Sequence, residues 1–292
     1  MKTILLTGKN GQVGWELQRT LASLGKVVAF DADELDLSDG SAVRKKVQEI
    51  RPDIIVNPAA YTAVDKAESE PELAQAVNGV APGVLAEEAE RLGAWMVHYS
   101  TDYIFDGIKQ GAYLETDAPN PQSVYGKTKL AGEEAVRAVG GKYLILRTSW
   151  VYGSRGHNFM LTMLRLARER SELRIVDDQV GAPTWCRSLA EITAQMMAQI
   201  HAPGTARQDE ANLAGIYHLT SSGAVSWHGF AQAILEEASI EPRPGLVAIP
   251  STEYPTPAHR PANSVLSNEK LKRIFGLDAG DWLDNLRLCL AE

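Results

Sequence analysis

The chain opens with an apolar run, Ile4-Leu5-Leu6-Thr7, that passes at once into Gly8-Lys9-Asn10-Gly11-Gln12-Val13-Gly14 and a helix-like stretch from Trp15 to Leu24. A strand that turns through glycines into a helix restricts the fold more than any other feature of this sequence. Backbone amides at such a turn reach a pyrophosphate only where no Cβ intervenes, and the positive end of the helix dipole helps neutralise the charge. The spacing is G-x-x-G-x-x-G, a weak signal alone, but its context strengthens it. Lys26 to Asp31 reads as a second strand that ends in an acid about twenty residues beyond the loop. The expectation is a dinucleotide-binding turn.

Apolar strand candidates then alternate with helix-like periods: strands at 3–7, 27–30, 53–57, 95–100 and 143–147, helices at 41–50, 71–92 and 126–139. Repeated β-α-β order with strands such as Ile54-Ile55-Val56 suits a parallel sheet covered on both faces. Right-handed crossovers then give an α/β fold, a Rossmann-like doubly wound parallel sheet. Beyond residue 150, Pro183, Pro203, Pro242, Pro244, Pro250, Pro255, Pro257 and Pro261 separate shorter helices. This division predicts a cofactor domain over 1–150 and a smaller, mainly substrate-binding C-terminal lobe over 151–292. The stretch 174–182 is a candidate for a strand that returns to the sheet, and Ala202 to Ala211 for an exposed loop.

At 292 residues and 45% hydrophobic content the chain can bury a full core. A net charge of -8 argues against a nucleic-acid partner, which needs a basic face. Cys186 and Cys289 are the two cysteines and show neither disulfide nor zinc spacing, which fits a reducing cytoplasm. The first strand starts without a charged leader, and no apolar stretch approaches the roughly twenty residues that cross a membrane, so an unprocessed cytoplasmic protein with no membrane partner is expected.

Tyr125-Gly126-Lys127-Thr128-Lys129 places a tyrosine and a lysine one helical turn apart, on one face. A free tyrosine has a pKa of about 10, and a neighbouring ammonium favours the phenolate, easing proton exchange near neutrality. Alone, such a pair reads more readily as an amphipathic surface helix than as a site. Upstream, His98-Tyr99-Ser100-Thr101-Asp102-Tyr103 ends a strand, where open α/β sheets hold their ligands.

With these residues in order the chain resembles the extended short-chain dehydrogenase/reductase superfamily. Within it, Gly11 to Leu17, Tyr61 to Glu68, Tyr99 to Tyr103, Tyr125 to Lys129, Arg147 to Tyr152, Asp177 to Thr184 and Arg260 to Ser264 are similar to the dTDP-4-dehydrorhamnose reductase family. The resemblance implies reduction of the C4 keto group of a dTDP-sugar by NADPH or NADH, the last step of dTDP-rhamnose synthesis for bacterial surface polysaccharide. Tyr125 would donate the proton, Lys129 would bind the cofactor ribose and lower the Tyr125 pKa, and Thr101 would hydrogen-bond the carbonyl oxygen or tune Tyr125. It further implies Gly8, Gly11, Gln12, Val13 and Gly14 under the pyrophosphate and Asp31 near the adenosine ribose. Asp36 and Leu37 would lie near adenine, with Ala60, Tyr61, Thr62 and Tyr99 along the cofactor. Thr101, Asp102 and Trp150 would face the sugar, and Arg260 could hold the substrate diphosphate.

Some relatives hold Mg²⁺ through glutamates at a dimer contact, and Glu16 matches one such position while Arg187 takes another. A cation there repels Mg²⁺ and can pair with Glu16, so the expectation is a possible homodimer with no metal site. Two other readings share these motifs. One is another sugar-nucleotide ketoreductase or an epimerase that recycles bound NAD⁺. The other is a non-catalytic cofactor-binding subunit, similar to the β subunit of methionine adenosyltransferase.

Overall fold

The computed structural model describes residues 1–202 and 212–292. The opening strand β1 (Lys2–Leu6) turns into α1 (Gln12–Thr20), and β2 (Gly25–Ala29), α2 (Gly40–Ile50) and β3 (Ile54–Asn57) follow. Next come α3 (Val64–Ala67), α4 (Pro71–Gln75), a wide π turn at Ala76–Val80, α5 (Ala81–Leu92), β4 (Trp95–Thr101), α6 (Val124–Val139) and β5 (Lys142–Thr148). The second half holds β6 (Val151–Tyr152), α7 (Phe159–Glu169), β7 (Glu172–Val176), β8 (Val180–Gly181), β9 (Thr184–Trp185) and α8 (Cys186–Ile200). It continues with β10 (Gly215–His218), β11 (Val225–Ser226), a helix Trp227–Glu237, β12 (Gly245–Ile249) and helices Glu269–Phe275 and Trp282–Leu290.

Six strands form one parallel sheet in the order β2-β1-β3-β4-β5-β10. Successive residues of a strand point to opposite faces, and two cores result. Ile4 and Leu6 pack with Leu17, Leu189 and Met196 on one side, whereas Leu5, Ile55, Met96 and Ile145 meet Val43, Leu85 and Val136 on the other. The strand order reverses between β1 and β3, and the crevice beyond their carboxyl ends is where such sheets bind ligands. A third core, around Tyr152, Trp185, Phe230, Ile234 and Leu286, belongs to the C-terminal portion.

Two expectations about the second half need correction. The segment 174–182 does not return to the large sheet: β7 pairs with β12 and β8 with β11, each in a two-stranded sheet. The strand that joins the sheet is β10, parallel to β5. A boundary at 150 is therefore not a division of the fold, because β10 completes the first sheet and the α8 residues Leu189, Ala190 and Met196 lie in the same core as Leu17 and Leu21 of α1 and its flank. The predicted loop at Ala202 to Ala211 lies, from residue 203 onward, outside the described residues. Among the described residues no helix is long and apolar enough to cross a membrane.

Candidate active site

The glycine turn is built as its spacing requires. Gly8 has φ +60, a conformation side chains disfavour, and a Cβ on Gly14 would lie 2.0 Å from the Gly8 carbonyl oxygen. Gly11 caps α1 without a side-chain hydrogen bond, and the first turn carries no acid. The free N–H groups there form an anion site. Asp31 closes the turn from the end of β2, its Oδ2 accepting from Asn10 N–H at 2.8 Å and its Oδ1 from Ala32 N–H at 2.7 Å. Asp36 Oδ1 accepts from both the Ser38 hydroxyl and its N–H, and these bonds hold the Asp36 carboxyl below its ordinary value.

A cleft of about 510 Å³ extends from this turn along the carboxyl ends of the strands. Of the expected residues, Gly8, Gly11, Gln12, Val13, Gly14, Asp31, Asp36, Leu37, Ala60, Thr62, Tyr99, Tyr125 and Lys129 line it. Tyr61 turns its side chain away, the hydroxyl donating to Glu70 at 2.6 Å. Its backbone is clamped by buried Asn78 of the π turn, which accepts from Tyr61 N–H at 2.8 Å and donates to the Tyr61 carbonyl at 3.1 Å. A π turn beside a ligand cleft is a common functional placement.

Ser123 starts α6, its Oγ accepting from Gly126 N–H at 3.1 Å, and this cap puts both Tyr125 and Lys129 on the cleft side. Burial pushes the Tyr125 hydroxyl up to about 12, a hydrogen bond with Thr101 works the other way, and the Asp102 charge adds to the rise. The Thr101 hydroxyl also donates to Asp102 Oδ1 at 3.0 Å and accepts from Tyr103 N–H at 3.2 Å. Lys129 was expected to lower the Tyr125 value. Its Nζ instead donates to the Tyr99 carbonyl at 2.6 Å, and the group that eases Tyr125 ionisation is Thr101.

Thr101, Asp102, Trp150 and Arg260 do not line this cleft. Thr101 and Asp102 are buried, and burial lifts the Asp102 carboxyl to about 6 against the pull of the Ser264 and Thr101 hydroxyls. Arg260 Nη2 pairs with Asp65 at 2.7 Å, and its guanidinium carbon stands 5.9 Å from the Tyr103 ring, which meets the Tyr125 ring edge-on at 5.4 Å. Trp150 adopts φ 49 and stacks on Trp227 at 3.4 Å, with a ring so close to Gly181 that a Cβ there would lie 2.6 Å away.

The sequence reading missed Ser100 and Thr148, cleft-lining hydroxyls at the ends of β4 and β5 that are buried and have no hydrogen-bond partner among the described residues. A polar residue that ends an apolar strand was the available signal. Gly156 and His157 also reach the cleft from the second half, and no local pattern marks them. The open amides of α1, the turn that only glycines fill and the unpartnered hydroxyls fit a dinucleotide.

Near α1, Arg187 pairs with Glu191 at 2.9 Å and Glu292 at 2.6 Å, and not with Glu16 as expected. Glu16 faces the same group, its value raised by burial first and by Glu292 second. The Arg187 guanidinium takes one oxygen each of Glu191 and Glu292, and a cation in that place opposes Mg²⁺ there.

Residues 1–292 match the family model described as RmlD substrate binding domain. A dTDP-4-dehydrorhamnose reductase of Burkholderia thailandensis is 52% identical over 300 residues, which span 99% of this chain and 98% of that protein. A crystal structure of a dTDP-4-dehydrorhamnose reductase from Clostridium acetobutylicum superposes with a TM-score of 0.90 at 39% identity, covering 99% of this chain and 98% of that one. The Bacillus anthracis dTDP-4-dehydrorhamnose reductase in complex with NADP gives a TM-score of 0.90 at 36% identity over 99% of both chains.

Proposed function

The chain belongs to the RmlD substrate binding domain family, and from that membership and its cleft we propose that it reduces the C4 keto group of dTDP-4-dehydro-L-rhamnose with NADPH or NADH, giving dTDP-L-rhamnose. The observation that carries this reading is the meeting of Tyr125, Lys129 and the glycine turn on one cleft, with Thr101 bonded to Tyr125.

Gly8, Gly11, Gln12, Val13 and Gly14 hold the pyrophosphate, and Asp31, Asp36 and Leu37 the adenosine end. Ala60, the Tyr61 backbone, Thr62 and Tyr99 follow the cofactor toward Tyr125. The reduced nicotinamide, when bound, supplies a hydride. Tyr125 gives its proton to the carbonyl oxygen, and because burial keeps the phenol protonated at neutral pH, the acid is in the form the reaction needs. The hydrogen bond with Thr101 orients Tyr125 and eases its ionisation; Lys129 serves the ribose from its place on α6. Thr101, Asp102 and Trp150 face the sugar, and Arg260 takes the diphosphate, where a planar fork suits phosphate oxygens. The strands and helices of the large sheet, β10 and α8 included, form the cofactor unit, and the third core supports the sugar side. We place this enzyme in the cytoplasm, where its two free, buried thiols stay reduced, as a homodimer that sedimentation can check.

Purified protein should oxidise NADPH or NADH when given dTDP-4-dehydro-L-rhamnose and release dTDP-L-rhamnose. Tyr125→Phe should lower kcat by at least about 100-fold without changing cofactor Kd. Tight cofactor binding without consumption, in the unmodified protein, would instead favour an epimerase or a regulatory subunit. Arg260→Ala should raise the sugar-nucleotide KM about tenfold and leave the cofactor KM alone, since the lost contact is a charge-assisted one.

A further inference from the structure

A buried polar chain runs beneath Lys129 and takes no part in the reaction as described. Thr7 at the end of β1, Asn57 ending β3, His98 in β4 and Lys129 in α6 are each no more than 2% exposed. Ala59 N–H donates to Thr7 Oγ1 at 3.4 Å, and the Thr7 hydroxyl donates to Asn57 Oδ1 at 2.6 Å. The Asn57 NH₂ is thereby left facing His98 Nδ1, 3.2 Å away. An amide NH₂ donates and does not accept, so its bond to Nδ1 needs a neutral ring with the proton on Nε2, whereas the bond with the Asn57 backbone, which raises the His98 value, needs a ring N–H on that side. Burial first, and the Lys129 charge second, hold His98 well below its ordinary value, so the neutral ring is the resting form.

His98 Nε2 stands 3.5 Å from Lys129 Nζ. Pointed at an ammonium, the ring N–H sets two donors face to face; pointed at a neutral amine, it finds a lone pair. The other groups around Lys129 are the Tyr99 carbonyl from β4 and Tyr125 and Glu133 on α6, with Glu133 held at 2.7 Å by Arg147 of β5. We propose that His98 is a positioning residue that acts through Lys129: its Nε2–H, aimed by the Thr7–Asn57 chain, favours the amine over the ammonium and so sets the pH above which the site loses its cation. Burial already pulls the Lys129 amine down to about 8 against the opposing Glu133 charge, which brings the switch within reach of a rate measurement. This inference rests on the reading of Tyr125 and Lys129 as the reaction's machinery.

The experiment is the pH profile of kcat for NADPH oxidation in the unmodified enzyme, His98→Leu and His98→Gln, with Tyr125→Phe as control. In His98→Leu the alkaline limb should move up by about half a pH unit, about threefold in the ionisation constant. His98→Gln, which still offers an N–H to Lys129, should keep the limb in place. A uniform drop in kcat with an unmoved limb in His98→Leu means a structural role and overturns the proposal. In the unmodified, histidine-labelled protein, ¹⁵N shifts read the tautomer directly, with His98 assigned by the signal that His98→Gln removes. A proton on Nε2 is expected, and one on Nδ1 overturns the proposal even if the variants fold poorly. If Tyr125→Phe retains turnover, the reading of the site itself fails; if it does not and the limb stays put, only the role of His98 does.

Discussion

Asp102 shows how a single side chain can serve a site at a cost to the fold. Its carboxyl is 3% exposed, and its Oδ2 has no hydrogen-bond partner among the described residues. Its value rises from 3.8 to about 6 through burial, so the folded chain binds that proton more tightly than the unfolded one. The associated stability is fully present below about pH 4 and is lost as pH rises through about 6, a change of about 3 kcal/mol. Asp102→Asn carries no such charge. The difference in urea unfolding free energy between variant and parent should therefore grow in the variant's favour by about 2.4 kcal/mol from pH 4 to pH 7.5; a difference that stays constant would show that Asp102 ionises freely. At this scale the sequence exposed Tyr125, Lys129 and Thr101, because their order and spacing are local. It did not expose Ser100 or Thr148, whose hydroxyls matter only once two strand ends lie side by side.

Elements take their places through caps and buried pairs. Ser123 caps α6 and Asp39 caps α2, accepting from Ser41 and Ala42 N–H, and such starts are readable from residue type alone. The tie between α6 and β5 is not readable in that way. Glu133 and Arg147 are 1% and 2% exposed and join through Nε and Nη2 of the guanidinium at 2.7–3.2 Å. Removing one partner leaves an uncompensated buried charge, so Glu133→Gln should cost about 3–5 kcal/mol of unfolding free energy in denaturant. A loss under about 1 kcal/mol would mean that Arg147 finds another acceptor or water. Strand β10 escaped detection for a similar reason: Gly215-Ile216-Tyr217-His218 is too short to carry a period, and its identity as a strand comes from the open edge of β5.

The whole molecule is held around a cleft that both halves of the chain line, from Gly8 and Asp31 to Gly156 and His157. A ligand bound there stabilises the folded chain by mass action, about 2.7 kcal/mol at 100 times its Kd, so NADPH at that level should raise Tm by about 5 °C. Tyr125→Phe should keep this shift. Gly14→Ala should lose it, because its Cβ would collide with the Gly8 carbonyl and force α1 away from the turn; a full shift in Gly14→Ala would show that the cofactor binds elsewhere. The sequence by itself determined the β-α-β order, the glycine turn and the Tyr-x-x-x-Lys pair, since each depends on contacts or periodicities within a few residues. The tertiary structure alone decided that β10 joins the first sheet and α8 its core, that the Tyr61 backbone is clamped by Asn78, that Arg187 reaches Glu292, and that His98 stands beside Lys129. Those outcomes join residues from 17 to more than 100 positions apart, and nothing in a local pattern records which distant partner satisfies a buried polar group or an open strand edge.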